Sequence, residues 1–402
     1  VLAAALAIEL VDELVDGTKS AALPLIRQGL ALSYGQVGLL ASVPLVLGSL
    51  LELPLGVLAS CGRARRLAVL ADGLVFIASL AAAAAARSFA GLLVAFVIFF
   101  PASGAFVGLT QSGLMDADPG RREQHMARWE LAGSAGAVAG PVLLIAVLAA
   151  GGGWRSAYLV LALAAAVTWL GVAGSPPAPS SAAESGPGTT GGAGGAGTVR
   201  RVLDALRRAE VVRWLVLLQV CDLLLDVLTG FAALYLVSVG HATPPQAAVG
   251  VAIRLGAGLA GDVAVIWALR RLRGVTLLRA SAAAATVLYP GFLLVPGLAL
   301  KLLLLGVLSV VTAPWYPMLT AQLYESLPDD SGVAVSLSSA ASLIGGAGPL
   351  AVGFLAERFG LAWALASLAL AAPVILCGLG GPGGPGGPGG PGGPGASNTP
   401  KL

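Results

Sequence analysis

The chain has 402 residues, 57% hydrophobic and 11% charged, with a formal net charge of +3. A soluble domain carries roughly 25% charged residues, so no water-soluble core absorbs this apolar excess and the class is a polytopic membrane protein. The small net charge gives no reason to expect nucleic acid. The cysteines Cys61, Cys221 and Cys377 are too scattered for a disulfide framework or a zinc site.

A bilayer crossing takes about 20 mainly apolar residues. In chain order that ruler marks crossings near 1–25, 36–60, 67–86, 90–114, 126–149, 154–173, 211–237, 246–269, 275–293, 298–322, 334–356 and 360–379. No basic segment precedes the first apolar run, so no cleavable signal peptide is expected. Arg63, Arg65 and Arg66 follow the second crossing, Arg121 and Arg122 the fourth, and Arg270, Arg271 and Arg273 the eighth. Arg200, Arg201, Arg207 and Arg208 lie between the sixth and seventh. Under the positive-inside rule these segments, and with them both termini, face the cytoplasm. The expected location is the plasma membrane, in a bacterium the inner membrane.

"SPPAPSSAAESGPGTTGGAGGAG" is a linker by composition, and "VRRVLDALRRAEVVRWL" after it reads as an amphipathic helix on the cytoplasmic surface. The expected organisation is an N-terminal six-helix bundle (1–174), a cytoplasmic linker (175–210), a C-terminal six-helix bundle (211–380) and a disordered Gly/Pro tail (381–402). The fold class is therefore an all-α membrane protein of about twelve helices in two pseudo-symmetric bundles.

The two halves share a register. Asp12 and Asp222 differ by 222 − 12 = 210, and the same offset links Asp16 to Asp226, Gln36 to Gln246, Glu52 to Asp262 and Thr110 to Thr320. "GAVAGP" ending at Pro141 answers "IGGAGP" ending at Pro349 at an offset of 208. Parallel repeats of this kind belong to secondary transporters whose sites lie between the halves.

The first crossing holds "IELVDELVDG". At about 100° per residue, Glu9, Asp12, Glu13 and Asp16 fall within an arc of about 100°. An Asp at a helix centre costs about 2.5–3.5 kcal/mol against lipid, so this stripe is expected to face a wet cavity or a partner. Asp222 and Asp226 make a shorter stripe on the seventh crossing. Facing each other, the two stripes would form a negative chamber suited to trading protons for a cationic cargo, with Glu52 and Asp262 as secondary contributors. A solvated lead-in at Glu9 and neutralisation of Asp16 by Lys19 are the plainer readings. Arg254, inside the eighth crossing, serves as a counter-ion or touches the solute, and Gln36 and Gln246 are placed beside the same cavity. Trp315 and Tyr316, in "TAPWYPM", are expected at mid-membrane depth, walling a cavity that stacks on an organic cation or packing between helices. His125 is expected at the surface, and Trp154, Trp169, Trp214 and Tyr289 in the interfacial aromatic belt.

These features together resemble the major facilitator superfamily over about 1–380. "GVLASCGRARRL" is similar to the family's loop motif between its second and third spans, with Gly56, Leu58, Ala59, Gly62, Arg63 and Arg65 in corresponding places. Ser60 stands where the family has Asp. The resemblance implies a cytoplasmic gate at Gly56, Gly62, Arg63, Arg65 and Arg66. "GSAGAVAGPVLL", with Gly136, Gly140 and Pro141, resembles the span-five motif of antiporters, although small residues at such spacing also serve plain helix packing. "LPLIRQGLALSYGQVGLLASVPLVLGSLLELPLGVL" is similar to the drug-efflux and fosmidomycin-resistance branch. The implied function is proton-coupled efflux of a small cationic or amphipathic solute by a monomer in contact with membrane lipid.

Two alternatives stay open: a divalent-metal transporter using the acidic cavity, and a non-transporting receptor on a transporter scaffold. No P-loop and no Ser/His/Asp set can be assembled, so neither an enzyme nor an ATP-driven pump is expected, and no cofactor or bound metal is called for.

Overall fold

The computed structural model describes residues 2–58, 62–117, 122–174, 204–327, 341 and 345–380. Ser60, most of the linker, much of the eleventh expected crossing and the Gly/Pro tail lie outside the described residues, as do the side chains of Glu52, Arg63 and Arg65.

Long apolar runs form the helices, and some accommodate an interior proline, as at Pro24, Pro101, Pro141 and Pro290. α1 (Leu2–Leu30), α2 (Tyr34–Leu58), α3 (Gly62–Ala85), α4 (Phe89–Ala117), α5 (Arg122–Ala149) and α6 (Trp154–Ala173) follow the first six expected crossings. α7 (Ala209–Ser238), α8 (Pro244–Ala268) and α9 (Gly274–Leu294) follow the next three. The tenth is split into α10 (Leu298–Thr312) and α11 (Trp315–Glu325). Pro314 lies at the break: it has no N–H to donate, and its ring crowds the preceding turn. α12 (Gly348–Phe359) is the described end of the eleventh. The twelfth comprises α13 (Leu361–Ser367), a 3-10 turn at Leu368–Leu370 and α14 (Ala371–Gly378). Pro373 removes the amide that would bond to Ala369, and the chain tightens just upstream.

Among the described residues, nine helical stretches are long and apolar enough to cross a membrane. α1 is outside that set and carries Glu9, Asp12, Glu13, Asp16 and Lys19. Apolar side chains cover the outside of the bundle: Leu163, Val167 and Leu170 of α6 are 62–66% exposed and Leu294 of α9 is 82% exposed. In water such a surface would drive aggregation, whereas in lipid it is the solvated face.

α1 packs on α4, α5 and α6, and α3 on α4 and α6, making one half. α8 packs on α7 and α10, and α9 on α10 and α14, making the other. The halves meet along α2–α12, α5–α8 and α1 against α7 and α8.

The internal repeat is visible in the backbone. Ala31 and His241, 241 − 31 = 210 apart, are the two non-glycine residues with positive φ among those described, at 50° and 53°. Each lies in the turn after the first helix of its half, and each turn ends in a reciprocal cap. The Gln36 side chain accepts from the Ser33 amide at 3.0 Å while Ser33 Oγ accepts from the Gln36 amide at 3.2 Å. Gln246 and Thr243 repeat the exchange at 2.9 and 3.5 Å. These are capping boxes that satisfy amides at the start of α2 and α8.

A second repeated device ties helix ends together. The Arg66 guanidinium donates to the Ala173 carbonyl at the end of α6 at 3.2 Å, and Arg279 donates to the Leu379 carbonyl just past α14 at 2.7 Å. A cation on the last carbonyls of a helix satisfies acceptors that have no partner within the helix and complements its dipole.

At the end of the bundle where α1 passes into α2, the halves are latched. The Gly35 amide donates to Glu357 Oε2 at 2.7 Å, and the Leu350 amide donates to Ser42 Oγ at 2.9 Å. Close approach requires glycine here, because a Cβ on Gly38 would stand 2.8 Å from the Pro349 carbonyl oxygen. The Gly35 amide and the Ser33 hydroxyl, with the Arg27 guanidinium nearby, hold the Glu357 carboxyl below its ordinary range. A depressed pKa means that the bond is complete above the ordinary value and lost as pH falls through the depressed one. The latch should therefore not vary with pH near neutrality and should loosen only below about pH 4. Spin labels at Gln28 and Phe359 should report a wider separation in acid, and Glu357→Gln should reproduce it at pH 7. Identical distance distributions in all three samples would rule the latch out.

Candidate functional site

The acidic stripe of α1 is distributed over several neighbours, with Glu9 buried and Asp12, Glu13 and Asp16 half-buried. Glu9 is 8% exposed. Its carboxylate lies over Gly133 of α5, where a Cβ would stand 2.6 Å from Glu9 Oε1. Asp12 Oδ1 accepts from Ser103 Oγ of α4 at 2.5 Å. Asp16 pairs with Lys19 at 2.5 Å, and the Lys19 ammonium also sits 4.9 Å from the centre of the Phe100 ring. Tyr158 of α6 is fully buried, and its hydroxyl has no hydrogen-bond partner among the described residues.

Glycine makes this seam possible. Gly133, Gly136 and Gly140 of α5 abut α1, Gly136 against the Leu10 carbonyl and Gly140 against the backbone of Leu14, Gly17 and Thr18. The Thr18 hydroxyl, wholly buried, reaches the Leu14 carbonyl at 2.7 Å and the Gly140 carbonyl at 3.2 Å. Pro141 lies against Gly17. The span-five motif thus lets α5 approach α1 at backbone distance, behind its carboxylates.

In the other half, Asp222 is hydrogen-bonded by Gln219 at 3.4 Å, and Asp226 is exposed on the surface of α7. Arg254 of α8 is 8% exposed. Its Nη2 donates to the Leu225 carbonyl at 2.8 Å and to Thr229 Oγ1, and the guanidinium interacts with Asp226 through space. Asp262, two turns along α8, is exposed. Between the halves lies a cavity of about 340 Å³ bounded by α5, α7, α8, α10 and α11, with Arg254, Asp262 and Tyr316 on its wall.

Several expected placements differ. The contacts of the α1 stripe reach α4 and α5 of its own half, and Asp222 is bonded within α7. Gln36 and Gln246 are spent on capping boxes at helix starts, away from a cavity wall. Trp315 is fully buried and its indole donates to Ser281 Oγ at 3.0 Å, so it packs α11 against α9, whereas its neighbour Tyr316 lines the cavity. Arg66 caps α6 within its own half. His125, at 8% exposed, is buried, as are Trp154, Trp214 and Tyr289.

Neither the repeat nor the charge pattern singles out Lys301, which the fold buries. It is 6% exposed, and its ammonium donates to the Phe292 and Leu293 carbonyls at 3.0 and 2.9 Å and to the Tyr235 hydroxyl at 3.1 Å. A lone Lys one turn into an apolar helix was the available signal. Among the described residues no group of three or more His, Cys, Asp or Glu side chains is arranged to hold a metal ion.

Comparison with known proteins fixes the family. The model of the Major Facilitator Superfamily matches residues 11–348. The chain belongs to that superfamily. Solved structures agree on the fold. The nucleoside transporter NupG superposes with a TM-score of 0.76 at 11% identity, over 94% of this chain and 98% of that one. A bacterial homologue of the human lysosomal transporter Spinster, inward-facing and unoccupied, gives 0.75 at 16% identity over 94% and 96%. The xylose transporter XylE from E. coli, partially occluded and inward-open, gives 0.66 at 14% identity over 93% and 97%. No curated protein matches the sequence. At these identities the structures speak for the fold alone. The superfamily and the fold make the chain a membrane transporter of small molecules rather than an enzyme.

Proposed function

We propose that this superfamily member is a proton-coupled exporter, exchanging protons for a small cationic or amphipathic solute by rocking its two halves about the central cavity. The observation that carries this reading is the packing of α1 carboxylates against neighbouring helices. Glu9 is buried against α5 and Asp12 is bonded to Ser103 on α4, which supports an inward-held stripe over a solvated lead-in. Acidic groups retained inside a membrane protein mark proton and ion pathways.

Charge asymmetry in the loops supports an orientation with both termini cytoplasmic, in a bacterium in the inner membrane. The latch at Gly35 and Glu357 would then close the outer face. An outward seal is what an inward-facing state requires, and two of the structural neighbours are described as inward-facing or inward-open. The similarity of the α2 region to the drug-efflux branch favours export.

The test is flux in proteoliposomes. With an imposed pH gradient, efflux of an organic cation should drive measurable proton movement, and dissipating the gradient should stop accumulation. Flux that is indifferent to the gradient would refute proton coupling, and no flux for any of a broad cation panel would favour a receptor.

A further inference from the structure

We propose that the cavity between the halves selects a bipolar amphiphile about 12 Å long, with a hydrogen-bond-accepting or anionic end against Arg254 and a cationic end against Asp262. This rests on the transport reading above and sharpens it by naming the chemistry of the cargo.

Arg254 supplies the first end. Its side chain is more than nine-tenths buried, yet its bonds to the Leu225 carbonyl and Thr229 use only Nη2. The Nε–H has no acceptor among the described residues. Asp226 and Arg254 interact electrostatically without forming an ion pair. A guanidinium presents five donors in a fixed fork. One that is buried on a cavity wall with donors unspent is poised for an acceptor, because an unmet donor in that setting is costly.

Asp262 supplies the second end. Its exposed carboxylate lines the same cavity and has no hydrogen-bond or ion-pair partner among the described residues. Eight residues of helix separate it from Arg254, a rise of about 12 Å and a turn of about 80°, so both side chains reach one space. Between them the wall is Leu255, Gly258 and Leu259, which is apolar. Opposite, the hydroxyls of Ser309 and Thr312 donate to carbonyls of their own helix, and Arg254 is the cationic donor on this wall. A cargo that is only cationic would satisfy Asp262 and leave the Arg254 donors unmet.

Gly258 provides a plug. A Cβ there meets nothing within 4 Å, so a larger side chain enters the cavity without disturbing the helix packing.

The test is equilibrium binding to the full chain in lipid nanodiscs, corrected for empty discs, with 10-aminodecanoate, decylamine, decanoate and 4-aminobutyrate as probes. The bipolar ten-carbon probe should bind saturably and at least about tenfold more tightly than the other three. Arg254→Gln should reduce it to the level of decylamine without changing decylamine itself, Asp262→Asn should reduce it to the level of decanoate, and Gly258→Leu should abolish saturable binding. Equal affinity for decylamine and 10-aminodecanoate in the unaltered protein overturns the proposal, whatever the fate of the Arg254 variant. Binding is read without a proton gradient. A strong preference for the bipolar probe with no pH-driven flux would therefore sink the transport reading alone. Proton-driven movement of a simple cation with no bipolar preference would sink this inference alone.

Discussion

Replacing Gly140 with valine should leave little folded protein, and Gly136→Val should be nearly as damaging. A Cβ at Gly140 would run into the Thr18 amide and the backbone of Gly17 and Leu14, and one at Gly136 into the Leu10 carbonyl. These obstacles are backbone atoms of α1, so no rotamer change relieves them and the two helices must separate. Overpacking of this kind costs about 1–3 kcal/mol where side chains can adjust. Against backbone the cost should reach the upper end or beyond, a large part of a total stability of about 5–15 kcal/mol. Gly171→Ala is the control. A Cβ there meets nothing within 4 Å, and alanine favours the helix over glycine by about 0.5–1 kcal/mol. Yield by size-exclusion chromatography and melting temperature measure all three. If Gly140→Val melts with the unaltered protein, the close α1–α5 seam is wrong. The same crowding explains why the motif is present whichever way the solute moves.

Periodicity and repetition carried most of the architecture into the sequence. Apolar runs placed the helices to within a few residues, because lipid demands continuous hydrogen-bonded apolar segments. The 210-residue offset was legible because charged and amide groups are scarce enough for coincidences to stand out. The roles of those matches were less legible. Gln36 and Gln246 matched across the halves, but the reason is a cap geometry set by Ser33 and Thr243, which a cavity hypothesis overlooks. Conversely, Ala31 and His241 share a backbone conformation with no shared side-chain chemistry, and no residue-type comparison would pair them. Arg66 read as a loop charge because its partner is a backbone carbonyl on α6, and main-chain acceptors leave no trace in composition. The break before Trp315 was signalled by Pro314, but which of the two adjacent aromatics faces the cavity depends on how α11 leaves that break. The sharing of the α1 carboxylates between neighbours was hidden for a related reason. A helical wheel places four carboxylates on one arc but does not say that α4 and α5 each take part of it.

Asp16→Asn and Asp226→Asn should each uncouple flux from the proton gradient, lowering pH-driven transport by about a hundredfold or more, while leaving expression and melting close to those of the unaltered protein. Asparagine keeps the shape of aspartate and cannot carry its proton. For Asp16 the rival account is structural, since Lys19 sits 2.5 Å away and could exist only to neutralise it. The Asp16 side chain is 50% exposed, and a pair that open to solvent contributes about 0–1 kcal/mol, too little for its loss to unfold the bundle. The double variant Asp16→Asn with Lys19→Met separates the accounts. If Asp16 only balances Lys19, removing both charges restores coupled flux. If Asp16 carries the proton, the double variant stays uncoupled, while Lys19→Met alone retains some coupling. Solute exchange at equal pH on both sides completes the measurement, because a variant that still exchanges solute has kept its cavity and its rocking motion and has lost only the proton step.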